Sequence, residues 1–95
     1  MLRRYVAGQR DCAHNIRLAL AAGDATTAQR ATHTLKSVSG TIGAKRVSAL
    51  AGAVEAALRE QQDSERIAQA INELASPLVT LTAALYAWLA LHAPT

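Results

Sequence analysis

The chain has 95 residues and a net charge of +3, and a length of that order holds one domain with one core and no second catalytic lobe. Hydrophobic residues at 51% and charged residues at 18% exclude a disordered chain. The mild positive charge is spread along the sequence without a dense Lys/Arg face or interleaved aromatics, which argues against a nucleic-acid binder.

Cys12 is the one cysteine, so no internal disulfide can form and a reducing, cytoplasmic setting is expected. No membrane contact is expected either. The most apolar run, Leu78 to Leu91, is interrupted by Thr80 and Thr82 and falls short of the ~18 residues of a spanning helix. The opening Met1-Leu2-Arg3-Arg4 is not followed by an apolar signal core. Alanine is abundant and strand-favouring aromatics are few, which predicts an all-α domain over residues 1–95.

Four helices are predicted in chain order. The first, about Leu2 to Ala22, has apolar positions at Leu2, Tyr5, Val6, Cys12, Ile16, Ala19 and Leu20. Gly23 ends it and Asp24 caps the next. The second, about Ala25 to Ile42, carries Ala28, Ala31, Leu35, Val38 and Ile42 at the spacing of a bundle seam and stops at Gly43. The third, about Lys45 to Gln62, has a stripe of Val47, Leu50, Val54, Ala57 and Leu58. Gly52 interrupts it and suggests a close helix–helix approach. The fourth, about Ser64 to Leu91, is capped by Ser64 and striped by Ile67, Ile71, Leu74, Leu78, Leu81, Leu85 and Trp88. Pro77 lies inside it, where a missing N–H and a ring clash predict a kink. Short connections between consecutive helices make an antiparallel, up-down-up-down four-helix bundle the economical architecture.

The second helix also carries the candidate chemistry. His33 precedes Leu35 by two residues, about 200° around a helix, so it points away from the seam. Gln29, Arg30, Thr26, Lys36, Ser37 and Gly40 share its face. Lys36 lies within reach of a group bound to the imidazole, Arg30 adds positive charge on the other side, and Ser37 and Gly40 leave the approach open. A neutral imidazole nitrogen is a nucleophile, a free imidazole titrates near ~6.5, and a neighbouring cation stabilises charge on a transferring phosphoryl group.

The stretch Ala31-Thr32-His33-Thr34-Leu35-Lys36-Ser37-Val38-Ser39-Gly40-Thr41-Ile42-Gly43-Ala44 resembles the signature of histidine-containing phosphotransfer (HPt) domains. That pattern has a Leu two residues after the histidine, a Lys three after, a small residue four after and a Gly ten after. Here these are Leu35, Lys36, Ser37 and Gly43, with Ser37 where glycine is common. Upstream, Ala21-Ala22-Gly23-Asp24 resembles the family's linker. Downstream, Val54-Glu55 stands where Leu-Glu is usual.

The resemblance implies that His33 accepts a phosphoryl group, that Lys36 stabilises it, and that Arg30, Gln29, Ser37 and Gly40 meet the docking partner. It implies partners that are response-regulator receiver domains carrying phosphoaspartate, a Mg²⁺ supplied by the receiver, and no cofactor or metal bound by this domain. It implies a monomeric carrier rather than an autonomous kinase, since no nucleotide-binding motif is present. Such domains often form one end of a hybrid sensor histidine kinase, and a chain that opens directly on a helix fits an excised piece.

Two other readings compete. The dimerising histidine domain of a sensor kinase shows an acidic residue directly after its histidine and a proline shortly downstream, where this chain has Thr34 and, much later, Pro77. A plain interaction bundle would use the basic surface alone. His14 and His92 lack comparable neighbours and read as structural or exposed. Cys12 and His14, two residues apart on a helix, point in different directions, which is poor metal spacing.

Overall fold

In the computed structural model, which describes residues 2–92, five α-helices follow one another: α1 Leu2–Gln9, α2 Cys12–Ala21, α3 Ala25–Thr41, α4 Lys45–Arg59 and α5 Ser64–His92. Met1, residues 93–95 and the side chain of Leu2 lie outside the described part. Helices α2 to α5 form an all-α four-helix bundle, with α3 between α2 and α4, α4 against α5, and α2 touching α5. Helix α1 packs along α5.

The single first helix expected from the sequence is therefore two. A turn at Arg10–Asp11 separates α1 from α2. The apolar positions jump from Val6 to Cys12, and the break lets both Tyr5 and Val6 on one side, and Cys12, Ala13 and Ile16 on the other, reach the core. The Tyr5 hydroxyl and the Ser39 Oγ are 2.9 Å apart in the interior, tying α1 to α3.

The other boundaries follow local chemistry. The Asp24 carboxylate accepts from the Thr27 N–H at 3.0 Å, as its cap position predicts. A bond from the Thr27 hydroxyl, and after it this backbone bond, hold the Asp24 carboxyl below the usual carboxylate range. Gly23 and Gly43 both adopt left-handed backbone (φ +74° and +82°), and the N–H of the residue after each closes back onto the helix. Helix α4 ends earlier than expected, at Arg59, because Gln61 takes the same left-handed turn at φ 54°. The cap of α5 is Asp63, not Ser64: its Oδ1 accepts from the Arg66 N–H at 2.8 Å. Helix α5 runs through Pro77 without interruption.

The core comprises Ile16, Leu35, Val54, Ile71, Leu74 and Leu78 with smaller residues between them. Besides the Tyr5 hydroxyl, three hydroxyls lie among these side chains, at Thr32, Ser39 and Thr82. Thr32 donates to the Gln29 carbonyl at 2.9 Å and Thr82 to the Leu78 carbonyl at 2.9 Å, so neither enters the interior unpaired. Among the described residues, no buried side-chain polar atom lacks a partner.

Helix α5 is 29 residues long, about 44 Å at 1.5 Å per residue. The molecule measures 47 × 24 × 18 Å, so α5 sets its long dimension and outruns α3 and α4. This explains Trp88, expected in the core stripe but 49% exposed. The apolar-run expectation also needs correction: an 18-residue window of α5 has a mean hydropathy of 1.7, and by length and composition the helix could cross a membrane. In the bundle its Ile71, Leu74, Leu78 and Thr82 are buried against the neighbouring helices.

Candidate functional site

Helix α3 buries Ala28, Thr32, Leu35 and Ser39, which turns the opposite face to solvent. His33 lies on that face with its side chain 65% exposed, as the helical geometry predicts. The ring does not stand alone. Its Nδ1 is 2.8 Å from Oε2 of Glu55 on α4. The other oxygen of the same carboxylate, Oε1, is 3.7 Å from the Lys36 Nζ. Glu55 is only 13% exposed, so the carboxylate is held in the α3–α4 groove while the imidazole and ammonium stand above it.

This arrangement fixes the tautomer. An ionised carboxylate accepts hydrogen bonds and cannot donate them. Nδ1 must therefore carry the proton, and in the neutral ring the lone pair is left on Nε2, at the far side of the imidazole. A negative charge beside Nδ1 also stabilises the positive charge that the ring acquires when Nε2 attacks an electrophile, the service a carboxylate performs for a catalytic histidine.

Lys36 is positioned from below. Its alkyl stem runs over Gly52, where an added Cβ would lie 3.6 Å from the lysine Cδ. The close approach expected at Gly52 is thus made by a side chain of α3. One turn earlier on α4, Ser48 donates to the Lys36 carbonyl at 2.9 Å, a second link between α3 and α4 near the site.

The remaining sequence candidates surround this centre. Arg30 is exposed and, with Thr34 and Ala31, lines a shallow groove whose other wall is Gly8, Gln9, Cys12 and Asn15. Gln29 is half-buried. Ser37 and Gly40 are exposed, and a Cβ on Gly40 would make only ordinary contact with the Ser48 Oγ at 3.6 Å. So the structure brings His33 and Lys36 into one network, with Arg30, Ser37 and Gly40 on the open surface around it.

The residue that completes the network is the one sequence reasoning did not place in it. Glu55 is 22 positions from His33, and only the register of α4 against α3 brings them together. Its signal was its position in the downstream helix, on the face shared with Ser48 and Gly52. His14 is exposed, Cys12 is buried with its thiol pushed up to about 11 by burial, and the two do not converge. His92 bonds the Trp88 carbonyl through Nδ1 at 2.8 Å and stacks on the indole.

Comparison with protein-family models matches residues 1–88 to the Hpt domain, a span that includes α1 to α4 and most of α5. No curated protein and no solved structure matches the chain.

Proposed function

Since the chain belongs to the Hpt-domain family, whose members are the histidine phosphotransfer modules of phosphorelay signalling, we propose that His33 is the histidine on which it carries the phosphoryl group. The observation that supports this most is the pairing of an exposed imidazole with a largely buried carboxylate at 2.8 Å, which leaves Nε2 as the nucleophile.

The donor is the aspartyl phosphate of a response-regulator receiver domain, the class to which Hpt domains in general pass phosphate. The Nε2 lone pair attacks phosphorus in line. The N–P bond forms as the P–O bond to the aspartate breaks, and the aspartate carboxylate leaves with the electron pair. Nδ1 keeps its proton throughout, and Glu55 balances the charge that the ring gains. Lys36 lies one turn from His33 and offers its ammonium to the phosphoryl oxygens, which carry the charge of a loose transition state. Return of the group to a second receiver is the same step reversed. Magnesium belongs to the receiver's own aspartate site, and this domain contributes no cofactor.

Docking falls to the surface around the ring. Arg30 and Gln29 lie one turn before His33, and Ser37 and Gly40 one and two turns after it. The small residues let a partner's active site close over the imidazole, and the cation suits the acidic pocket around a phosphorylatable aspartate. A carrier of this kind works as a single monomeric domain in the cytoplasm, alone or within a sensor kinase. Family membership disfavours both the dimerising kinase domain and the plain interaction bundle.

The test is direct. The chain is incubated with a phosphorylated receiver domain, and the label is expected on His33, acid-labile and alkali-stable. Equal acceptance by His33→Gln would overturn the assignment.

A further inference from the structure

The C-terminal half of α5 lies outside the network of His33, Glu55 and Lys36, and its surface is unusual for a bundle helix. From Leu74 to His92 the sequence carries no Asp, Glu, Lys or Arg. Of the five large hydrophobic residues exposed among the described residues, four are here: Val79, Tyr86, Trp88 and Leu91, the last 83% exposed. Tyr86 and Trp88, two residues apart, stand on opposite edges of the exposed arc, and the small residues Ser76, Thr80, Ala83 and Ala87 lie between them, where an ordinary surface helix turns charged residues to water.

The charged residues that line the two grooves beside the strip are all cationic. On one flank, Arg3 and Arg10 of α1 border a groove floored by Val6, Tyr86 and Leu89. On the other, Lys45 and Arg46 at the start of α4 border a groove floored by Val47, Pro77, Leu81 and Ala84. Residues 1–10, 44–54 and 74–92 together hold Arg3, Arg4, Arg10, Lys45 and Arg46 and no acidic residue. Asp11, Glu55 and Glu73 stand at the borders of these segments, and the other four acids, Asp24, Glu60, Asp63 and Glu65, lie further off in the sequence.

We propose that this end of the molecule docks on an anionic lipid surface, with α5 lying in the plane of the headgroups. Cations flanking an apolar strip match a negatively charged interface, and exposed Trp and Tyr favour the boundary between headgroups and acyl chains. The charge pattern separates this occupant from a second copy of the chain, because a symmetric pairing of the strips would set two cationic rims against each other. Crossing the bilayer would strip Ile71, Leu74, Leu78 and Thr82 from the core, whereas surface docking leaves the bundle intact. His33 stays free, since α3 packs chiefly against α2 and α4. The proposal stands apart from the assignment of His33, and either can fail without the other.

Trp88 is the one tryptophan, so its emission reports contact directly. The 95-residue chain is titrated with vesicles of phosphatidylcholine alone and with vesicles of equal parts phosphatidylglycerol and phosphatidylcholine. A blue shift of Trp88 and co-sedimentation are expected with the anionic vesicles only, both weakening as salt is raised. Neutralising one rim cation lowers partitioning about fivefold, so Arg3→Gln, Arg10→Gln, Lys45→Gln and Arg46→Gln combined lower it on the order of a hundredfold or more. Arg59→Gln with Arg66→Gln, which removes as much charge as two rim cations but from outside the rim, leaves binding as it was. Far-UV circular dichroism checks that the variants remain folded. Equal binding to both vesicle types, or binding indifferent to the rim cations, overturns the proposal. So does shielding of Trp88 that rises with chain concentration in the absence of vesicles, which assigns the strip to a second copy.

Discussion

The His33 patch and the outer face of α5 are both exposed helix surfaces, but they are made in opposite ways. Around His33 the side chains are polar or small, and a largely buried carboxylate on the neighbouring helix holds the imidazole and the ammonium. Along α5 beyond Leu74 there is no charge, and large apolar groups stand in water with nothing bonded to orient them, apart from the Trp88–His92 stack. The first surface is organised for chemistry on one atom. The second is organised for burial. A residue that acts on a substrate must be held in one geometry by its neighbours, whereas an apolar face needs only area and a complementary rim. The contrast means that substitutions in the two regions should separate cleanly into losses of transfer and losses of association.

The largest effect that sharpens this contrast is His33→Gln. It should abolish phosphoryl acceptance while the unfolding midpoint barely moves, because a side chain 65% exposed contributes little to the core. A large fall in stability would mean that the ring is structural. Next comes a pair of leucines on α5. Leu74→Ala removes a fully buried side chain and should cost about 2–5 kcal/mol in urea unfolding. Leu91→Ala, at a position 83% exposed, should stay within about 0.5 kcal/mol. Comparable costs would show that the outer strip is packed in the free chain, and the contrast would collapse.

Glu55→Ala is predicted to slow transfer at least about 10–100-fold, the range seen when the carboxylate partner of a metal-bound histidine is lost, without abolishing it. Glu55→Gln should lose less, because its carbonyl oxygen can still accept from Nδ1–H. The readout that separates orientation from stability is the ¹⁵N spectrum of His33. The Nδ1–H form should dominate in the parent and give way to a mixture in Glu55→Ala. An unchanged spectrum would show that the carboxylate does not set the tautomer.

Much of the site is legible in the sequence. The seam of Ala28 and Leu35 fixes the outward direction of His33, and Lys36 follows by helical spacing, so a site confined to one helix can be read from periodicity. Glu55 could not be read that way, since its place beside His33 depends on how α4 slides along α3. The break at Arg10–Asp11 left a trace in the gap between Val6 and Cys12, but Gly8 is tolerated within α1, so neither residue type nor apolar rhythm marked the turn alone. Thr32, Ser39 and Thr82 escaped because an apolar stripe omits hydroxyls, although a threonine bonded to its own helix buries as readily as valine. Trp88 was misassigned because periodicity gives a face but not the length of the neighbours that cover it.

The link between α1 and the bundle should weaken as pH rises at the alkaline end. Burial is the main cause that raises the Tyr5 hydroxyl above 10.0, outweighing the opposing bond to Ser39, and burial likewise pushes the Cys12 thiol from 9.0 up to about 11. Both groups are neutral when protonated, and both hold their protons more tightly in the folded chain than in the unfolded one. Between the two values the folded state binds more protons, so stability falls as pH rises. Their contribution is complete below about pH 9, where the unfolded thiol is still protonated, and is lost as pH climbs through 11. Unfolding by urea from pH 8 upward should therefore show a steepening loss, which Cys12→Ala reduces at its lower end. Tyr5→Phe removes the ionisation at its upper end but leaves the Ser39 hydroxyl buried without its partner, at a cost of about 1–2 kcal/mol at neutral pH. The two stability curves should then converge as the pH rises, because the parent loses what the variant lacks from the start. Parallel curves would show that α1 separates from the bundle before Tyr5 ionises.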